Sequence, residues 1–303
     1  MKKKFLIVGG TGFIGYHLIS KLKKRKAIVH SISTRKPKEN RTITGVKYII
    51  SDISNIKNLK KKIKKNYYNY VINLAGYVDH KNKSRTYKSH YIGCKNLSKI
   101  FLKSKIKKFI QMGSSGEYGN LSSPHSEDQD ASPTTIYNLS KKKASNFLIN
   151  KYIKEKFPVT IFRLYLTYGP RQDENRFIPI VINNCLRNKN FNLSHCKQFR
   201  DFIYIDDVID IIISSLDNNK CNGKIINIGT GKPLKLKNIV NKIKKLIKKG
   251  KPKFGHLKLR KDEILKIYPK IDEAKKLLKW KPKIKFNKGL NKTIKYYKSV
   301  IQT

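Results

Sequence analysis

At 303 residues the chain can bury one large core or two smaller ones, and 69 Lys and Arg against 19 Asp and Glu give it a formal charge of +50. The excess is almost all lysine, spread along the chain with many Asn, Ile and Tyr, all types with A/T-rich codons; a biased genome accounts for it, and it marks no specific nucleic-acid partner, although it attracts small anions. Cys94, Cys185, Cys196 and Cys221 form no CxxC pair and suit a reducing cytoplasm, the expected location, and the apolar run nearest to a membrane span, Val208 to Ile213, is broken by Asp210.

The chain opens MKKKFLIVGGTGFIGYHL. Three lysines before an apolar run have the look of a secretion signal, but Phe5-Leu6-Ile7-Val8 is only as long as one buried strand. Gly9, Gly12 and Gly15 follow, and Phe13, Ile14, His17, Leu18 and Leu22 then recur at helical spacing. Strand, glycines and helix in that order make a dinucleotide-binding turn. The first glycine allows the tight turn, the second lets the backbone approach a pyrophosphate, the third lets helix and strand pack closely, and the helix start supplies free N–H groups. A plain strand-to-helix connection is the alternative, and the flanking elements favour the cofactor.

Further apolar runs at Ile28 to Ile32, Tyr48 to Ile50, Tyr70 to Leu74, Phe109 to Met112 and Val159 to Leu164 alternate with segments of helical spacing. This predicts an α/β fold, a Rossmann-type doubly wound parallel sheet with helices on both faces. After Gly169-Pro170 the alternation decays into a helix at about Ile178 to Arg187, an irregular stretch, and a helix carrying Ile239, Val240, Ile243, Leu246 and Ile247 with its lysines in solvent. The expected division is a dinucleotide-binding part over 1–170, with a return segment at about 202–232, and a smaller part made of 171–201 and 233–303.

In IYNLSKKKAS, Tyr137 and Lys141 are four apart and share a helix face. An ammonium held beside a phenol favours phenolate, so the pair can give or take a proton next to a carbonyl. QMGSSGEYG follows a strand at the carboxyl edge, where open sheets bind ligands, and Ser114 can hydrogen-bond the same carbonyl oxygen. A Tyr four residues before a Lys means little alone in a chain with 17 Tyr. The order of glycine turn, Ser after a later strand, then Tyr and Lys on the next helix gives it meaning. No metal is expected, since the adjacent His195 and Cys196 lack further ligands.

In that order the motifs resemble, nearly end to end, the extended short-chain dehydrogenase/reductase family, the branch of NAD(P)-dependent nucleotide-sugar epimerases, dehydratases and reductases. The resemblance implies a cofactor turn in GGTGFIG (Gly9, Gly12, Phe13, Ile14, Gly15), an adenine contact in SDI (Asp52, Ile53) and a fourth-strand end in NLAG (Leu74, Ala75, Gly76). It implies a catalytic Ser114 in GSSGEYG with Ser115 toward the substrate, and in YNLSK a catalytic Tyr137 and Lys141 that also touch the cofactor. RLYLTYGPRQ, RDFIYIDDV, NIGTG and WKP resemble its C-terminal landmarks, and Arg200 and Arg260 would then bind the substrate diphosphate. The structural alternative is Arg200 paired with Asp201 or Asp207 as a brace.

Departures narrow the reaction. The Asp-Glu pair that follows the catalytic residue in the family's dehydratases is Ser115-Gly116 here, and Glu117 comes one place late, which disfavours dehydration. The acid expected at the end of the second strand is Ser33, with Arg35 two residues on. A 2′-phosphate fits there, so NADP(H) is favoured over NAD(H), unless Arg35 is one more surface cation. Two Asn positions of the family are His90 and Leu166. FGHLKLRKDEI and GPRQDENRFIP read closest to CDP-abequose synthase-type 4-ketoreductases. The expectation is an NADPH-dependent reductase of a 4-keto-6-deoxy nucleotide sugar in surface-polysaccharide synthesis. The alternatives are a 4-epimerase with retained NAD and a non-catalytic nucleotide- or RNA-binding protein. The expected partners are the nucleotide sugar and, as an assembly the family permits, a homodimer, with no specific nucleic acid and no membrane.

Overall fold

Each of the six apolar runs becomes a strand in the computed structural model, which describes residues 2–77, 79, 81–259 and 263–302. They are β1 (Lys4–Val8), β2 (Ile28–Ser33), β3 (Lys47–Ile50), β4 (Tyr70–Asn73), β5 (Lys108–Ser114) and β6 (Val159–Leu164). A seventh strand, Lys224–Ile228, was not anticipated. It completes a parallel sheet in the order Lys224–Ile228, β6, β5, β4, β1, β2, β3. The order reverses between β1 and β4, and that crevice is where a doubly wound sheet receives a ligand.

Successive side chains of each strand leave on opposite faces, so one sheet feeds two cores. Leu6, Val8, Val71, Phe109, Val159 and Ile161 pack under helices Ile56–Lys62, Gly93–Phe101 and Ile136–Glu155. Phe5, Ile7, Ile72, Ile110, Phe162 and Ile226 pack under helices Phe13–Lys24 and Ile205–Ser215. Burial on both faces explains why these strands read as continuous apolar runs.

Beyond β6 the elements shorten. Helix Phe177–Leu186 matches the expected one within a residue, and helix Leu236–Ile247 buries Ile239, Val240 and Ile243, while Leu246 near its end is exposed. Strands Asn190–Leu193 and Lys251–Phe254 pair in parallel, and Phe199–Arg200 lies between Leu234–Lys235 and Lys266–Ile267. Among the described residues no helix is long and apolar enough to cross a membrane.

The turn after β1 is set by contact. Gly9 has φ +80°, and a Cβ there would lie 2.9 Å from the Ala75 nitrogen; one on Gly15 would lie 2.5 Å from the Gly9 oxygen. At Gly12 the nearest atom to such a Cβ is the Gly9 oxygen at 3.3 Å. Gly15→Ala is therefore expected to lower Tm by about 2–6 °C through overpacking. Gly12→Ala is expected to leave Tm nearly unchanged and to weaken dinucleotide binding. Scanning fluorimetry and a cofactor titration on both variants check the pair, and equal Tm losses would contradict this account of the turn.

Candidate active site

Helix Phe13–Lys24 starts at Gly12 with no side-chain cap and no acidic residue in its first turn. Its leading N–H groups face the mouth of the crevice between β1 and β4, which suits an anion such as a pyrophosphate. Phe13 and Ile14 are half-buried in that first turn. Leu74 donates its N–H to the Val8 oxygen at 2.9 Å, and Ala75 donates to Asn73 Oδ1 at 3.2 Å, so the end of β4 lies alongside the glycine turn. At the end of β2, Ser33 Oγ accepts from the Thr11 nitrogen at 3.5 Å, while Arg35 is exposed. Asp52 is exposed and accepts from the Ser54 nitrogen at 2.8 Å, and Ile53 is buried. The sequence reading missed Asn96, whose amide donates to the Ile53 and Ser54 oxygens at 3.0 and 2.9 Å and holds this loop in place. The uncapped helix, the space over Gly12 and these loops fit a dinucleotide.

Ser114 is the last residue of β5, and the turn Ser115–Tyr118 follows it. Thr135 caps helix Ile136–Glu155 by accepting from the Asn138 nitrogen. Lys141, buried one turn in, donates from Nζ to the Met112 oxygen at 2.7 Å, two residues before Ser114. Gly116 lies against Asn138 so closely that a Cβ would overlap its Oδ1 at 2.0 Å. The start of the helix and the end of β5 thus share one corner of the sheet edge. Tyr137 lies on the same helix face as Lys141, and its ring meets the His90 ring edge-on at 4.9 Å. His90 is buried in a π-helical stretch, Lys88–Ile92, and packs against Gly76, and its Nε2 donates to the Tyr77 oxygen at 3.2 Å. The residue that departs from the family's Asn therefore touches the proposed acid–base group. Glu117 is turned inward and fully buried. Leu166, the other departure, is exposed.

Arg200 differs from the brace described above. Its Nη2 pairs with Glu263 and its Nη1 donates to the Phe199 oxygen at 2.9 Å. Asp201, the next residue, accepts instead from the Thr230 nitrogen at 2.8 Å and from Thr230 Oγ1 at 2.9 Å. Asp207 accepts from the Lys283 and Ile284 nitrogens at 2.9 and 3.0 Å. Neither aspartate is the partner of Arg200, because each anchors a different loop. Arg260 lies outside the described residues. Ser115 is half-buried in the turn after Ser114.

The chain belongs to the NAD dependent epimerase/dehydratase family, whose profile matches residues 5–229. It is an NAD(P)-dependent enzyme of the class that modifies nucleotide sugars. A UDP-N-acetyl-alpha-D-glucosaminuronate decarboxylase of Bacillus cytotoxicus is 29% identical, over 99% of this chain and 99% of the relative. The UDP-glucose 4-epimerase of Thermotoga maritima superimposes with a TM-score of 0.92 over 98% of this chain and 99% of that one; at 23% identity this is a likeness of fold. The UDP-glucuronic acid 4-epimerase of Bacillus cereus, solved with UDP-glucuronic acid and NAD, gives a TM-score of 0.87 at 26% identity, over 98% of this chain and 99% of that one. These relatives are a decarboxylase and epimerases, so the nearer likeness to CDP-abequose synthases is not carried by them.

Burial pushes the Asp201 carboxyl up to about 6, against the hydrogen bonds from Thr230 that favour its charge. A carboxyl raised in this way binds its proton more tightly in the folded chain, so its contribution to stability falls as pH rises from about 4 to about 6 and is level above. The Tm of the wild type relative to Asp201→Asn is expected to be highest near the acid end of that window and to decline across it. A difference that stays flat in thermal melts would mean Asp201 is ionised throughout.

Proposed function

We propose that the protein oxidises the C4 hydroxyl of a nucleotide-linked hexose and returns the hydrogen to the resulting ketone, acting as a 4-epimerase with a retained cofactor. The observation that supports this most is the tie from Lys141 Nζ to the Met112 oxygen at 2.7 Å, which holds the Tyr137 helix against the strand that ends in Ser114. With nicotinamide bound in the crevice, hydride leaves and returns at the sugar carbon. Tyr137 takes the proton from O4 on oxidation and gives it back on reduction, and Ser114 Oγ donates to the same oxygen. Lys141, on the same helix face as Tyr137, reaches the cofactor ribose. Gly9, Gly12 and Gly15 admit the pyrophosphate, Asp52 and Ile53 the adenine side, and Leu74, Ala75 and Gly76 the face beside β4. Ser115, with Arg200 and Arg260 from the smaller part made of 171–201 and 233–303, serves the sugar nucleotide, and 1–170 with the 202–232 return serves the cofactor. The bound NAD and UDP-glucuronic acid of the Bacillus cereus relative support the cofactor and substrate classes. Dehydration is disfavoured, since Ser115 and Gly116 stand where an acid pair would act.

A second reading, an NADPH-dependent 4-ketoreductase, is favoured by one observation. Ser33 presents no carboxylate where a 2′-phosphate would sit, and Arg35 is exposed close by in sequence. Mass spectrometry of the nucleotide released from the purified protein separates the two. Bound NAD supports the epimerase, and NADP or no nucleotide supports the reductase. Under either reading Tyr137→Phe is expected to lower kcat by about a hundredfold to ten-thousandfold with cofactor affinity retained; a variant near the wild-type rate would remove Tyr137 from the chemistry. Arg35→Asp is expected to shift the ratio of kcat/KM for NADPH and NADH toward NADH, and an unmoved ratio would leave Arg35 a surface charge.

A further inference from the structure

We propose that Glu117 is a positioning residue that locks the end of β5 to the helix bearing Tyr137 and Lys141. The inference rests on the roles proposed above for Ser114, Tyr137 and Lys141. Glu117 is completely buried, and its carboxylate oxygens are divided between the two elements. Oε1 accepts from the Ser114 nitrogen at 2.8 Å. Oε2 accepts from Ser145 Oγ at 2.7 Å, and Ser145 lies one helical turn beyond Lys141 on the same face. Arg163 of β6 holds the carboxylate from the third side, with Nε 3.2 Å from Oε2, and its guanidinium lies 4.4 Å from the centre of the Tyr118 ring. The clearance is built in, because a Cβ on Gly113 would lie 2.4 Å from Oε1.

One buried anion therefore fixes the backbone of Ser114 and the turn after Lys141 relative to each other. The tie from Lys141 to Met112 fixes the same two elements about one helical turn away. Two anchors on one helix face prevent it from both sliding and rotating against the strand. A group that must meet its reacting atom within a fraction of an ångström needs that restraint, since small misplacements are costly in rate. Glu117 meets Ser114 at its backbone nitrogen and would act through Ser114 and the helix.

Removing the carboxylate leaves the Arg163 guanidinium buried without its anion, so Glu117→Gln is paired with the milder Ser145→Ala, which cuts only the link to the helix. The activity arm measures interconversion of UDP-glucose and of UDP-glucuronate at C4 by NMR. Each variant is expected to lower kcat by about tenfold or more, with KM and NAD affinity within about twofold. The double variant should be no slower than Glu117→Gln alone, because both changes break one link. Multiplying effects, or a fall in Tm and NAD affinity with kcat intact, would overturn the proposal. The second arm, hydrogen–deuterium exchange, needs no substrate. Faster exchange is expected in residues 112–118 and 136–142 of both variants, with β1 unchanged. Exchange that is unaltered, or raised evenly through the chain, would overturn the positioning role. A wild type inactive on both sugars would instead remove the epimerase reading and leave the exchange result to decide for Glu117.

Discussion

Parallel pairing places the ends of all seven strands on one edge of the sheet, and the arrangement of the site follows from that constraint. Antiparallel neighbours would scatter the turns after β1, β2, β4 and β5 to both edges. Here they converge around the point where the strand order reverses, and each brings a short, specific segment: Gly9 to Gly15, Ser33, Leu74 to Gly76, and Ser114. Edge geometry alone leaves the helix that follows β5 free to slide. The bond from Lys141 to the Met112 oxygen removes that freedom, and it does so with the side chain proposed to serve Tyr137. A buried ammonium must find an acceptor, and the strand end supplies one.

β1, β4, β5 and β6 were legible because burial on both faces leaves a contiguous apolar run, and the partly buried β2 and the edge strand β3 from the shorter apolar stretches they keep. Lys224–Ile228 was not, for a reason visible in KIINI: it is an edge strand that starts on an exposed Lys224 and carries Asn227 inside it. Asn227 is buried as the acceptor of the Tyr118 hydroxyl at 2.8 Å and the donor to the His125 oxygen at 3.2 Å. Its polarity is satisfied by residues more than a hundred positions away, and periodicity carries no trace of that. The same holds for Asn96, which reads as a helix-surface residue and in fact holds the Ile53 turn. Ser114, Tyr137 and Lys141 were singled out through their order along the chain, a property of topology that survives in sequence. The partner of Arg200 was missed because Glu263 arrives from a later loop, whereas Asp201 and Asp207, though near in sequence, are turned to Thr230 and to Lys283 and Ile284.

Lysine content illustrates how composition and position part ways. Most of the cationic excess lies on the surface, in keeping with a compositional bias. Two lysines do not. Lys108 is fully buried at the start of β5, where Nζ donates to the Asn218 oxygen at 2.8 Å and burial pushes its pKa down to about 8. Lys141 is buried at the other end of the same strand. One strand is thus fastened at both ends by an ammonium on a carbonyl, one joining it to the loop after helix Ile205–Ser215 and the other to the helix of Tyr137. Neither could be told from its neighbours by counting charge.

The same excess limits what a single arginine can do for cofactor choice. A surface with this much positive charge draws NAD and NADP alike toward the crevice, since both are anions and the field acts before either is docked. Discrimination is a difference between two bound states, and at physiological salt charges more than about 8 Å from the 2′ position contribute little to it. What remains is local: whether the Ser33 hydroxyl, which already accepts from the Thr11 nitrogen, is free to meet a ribose hydroxyl, and whether Arg35 can leave solvent to meet a phosphate. An exposed side chain loses rotamer freedom when it forms such a contact, and that cost offsets part of the charge attraction. Net charge therefore bears on how often a dinucleotide arrives, and the roles proposed for Ser33 and Arg35 bear on which one stays.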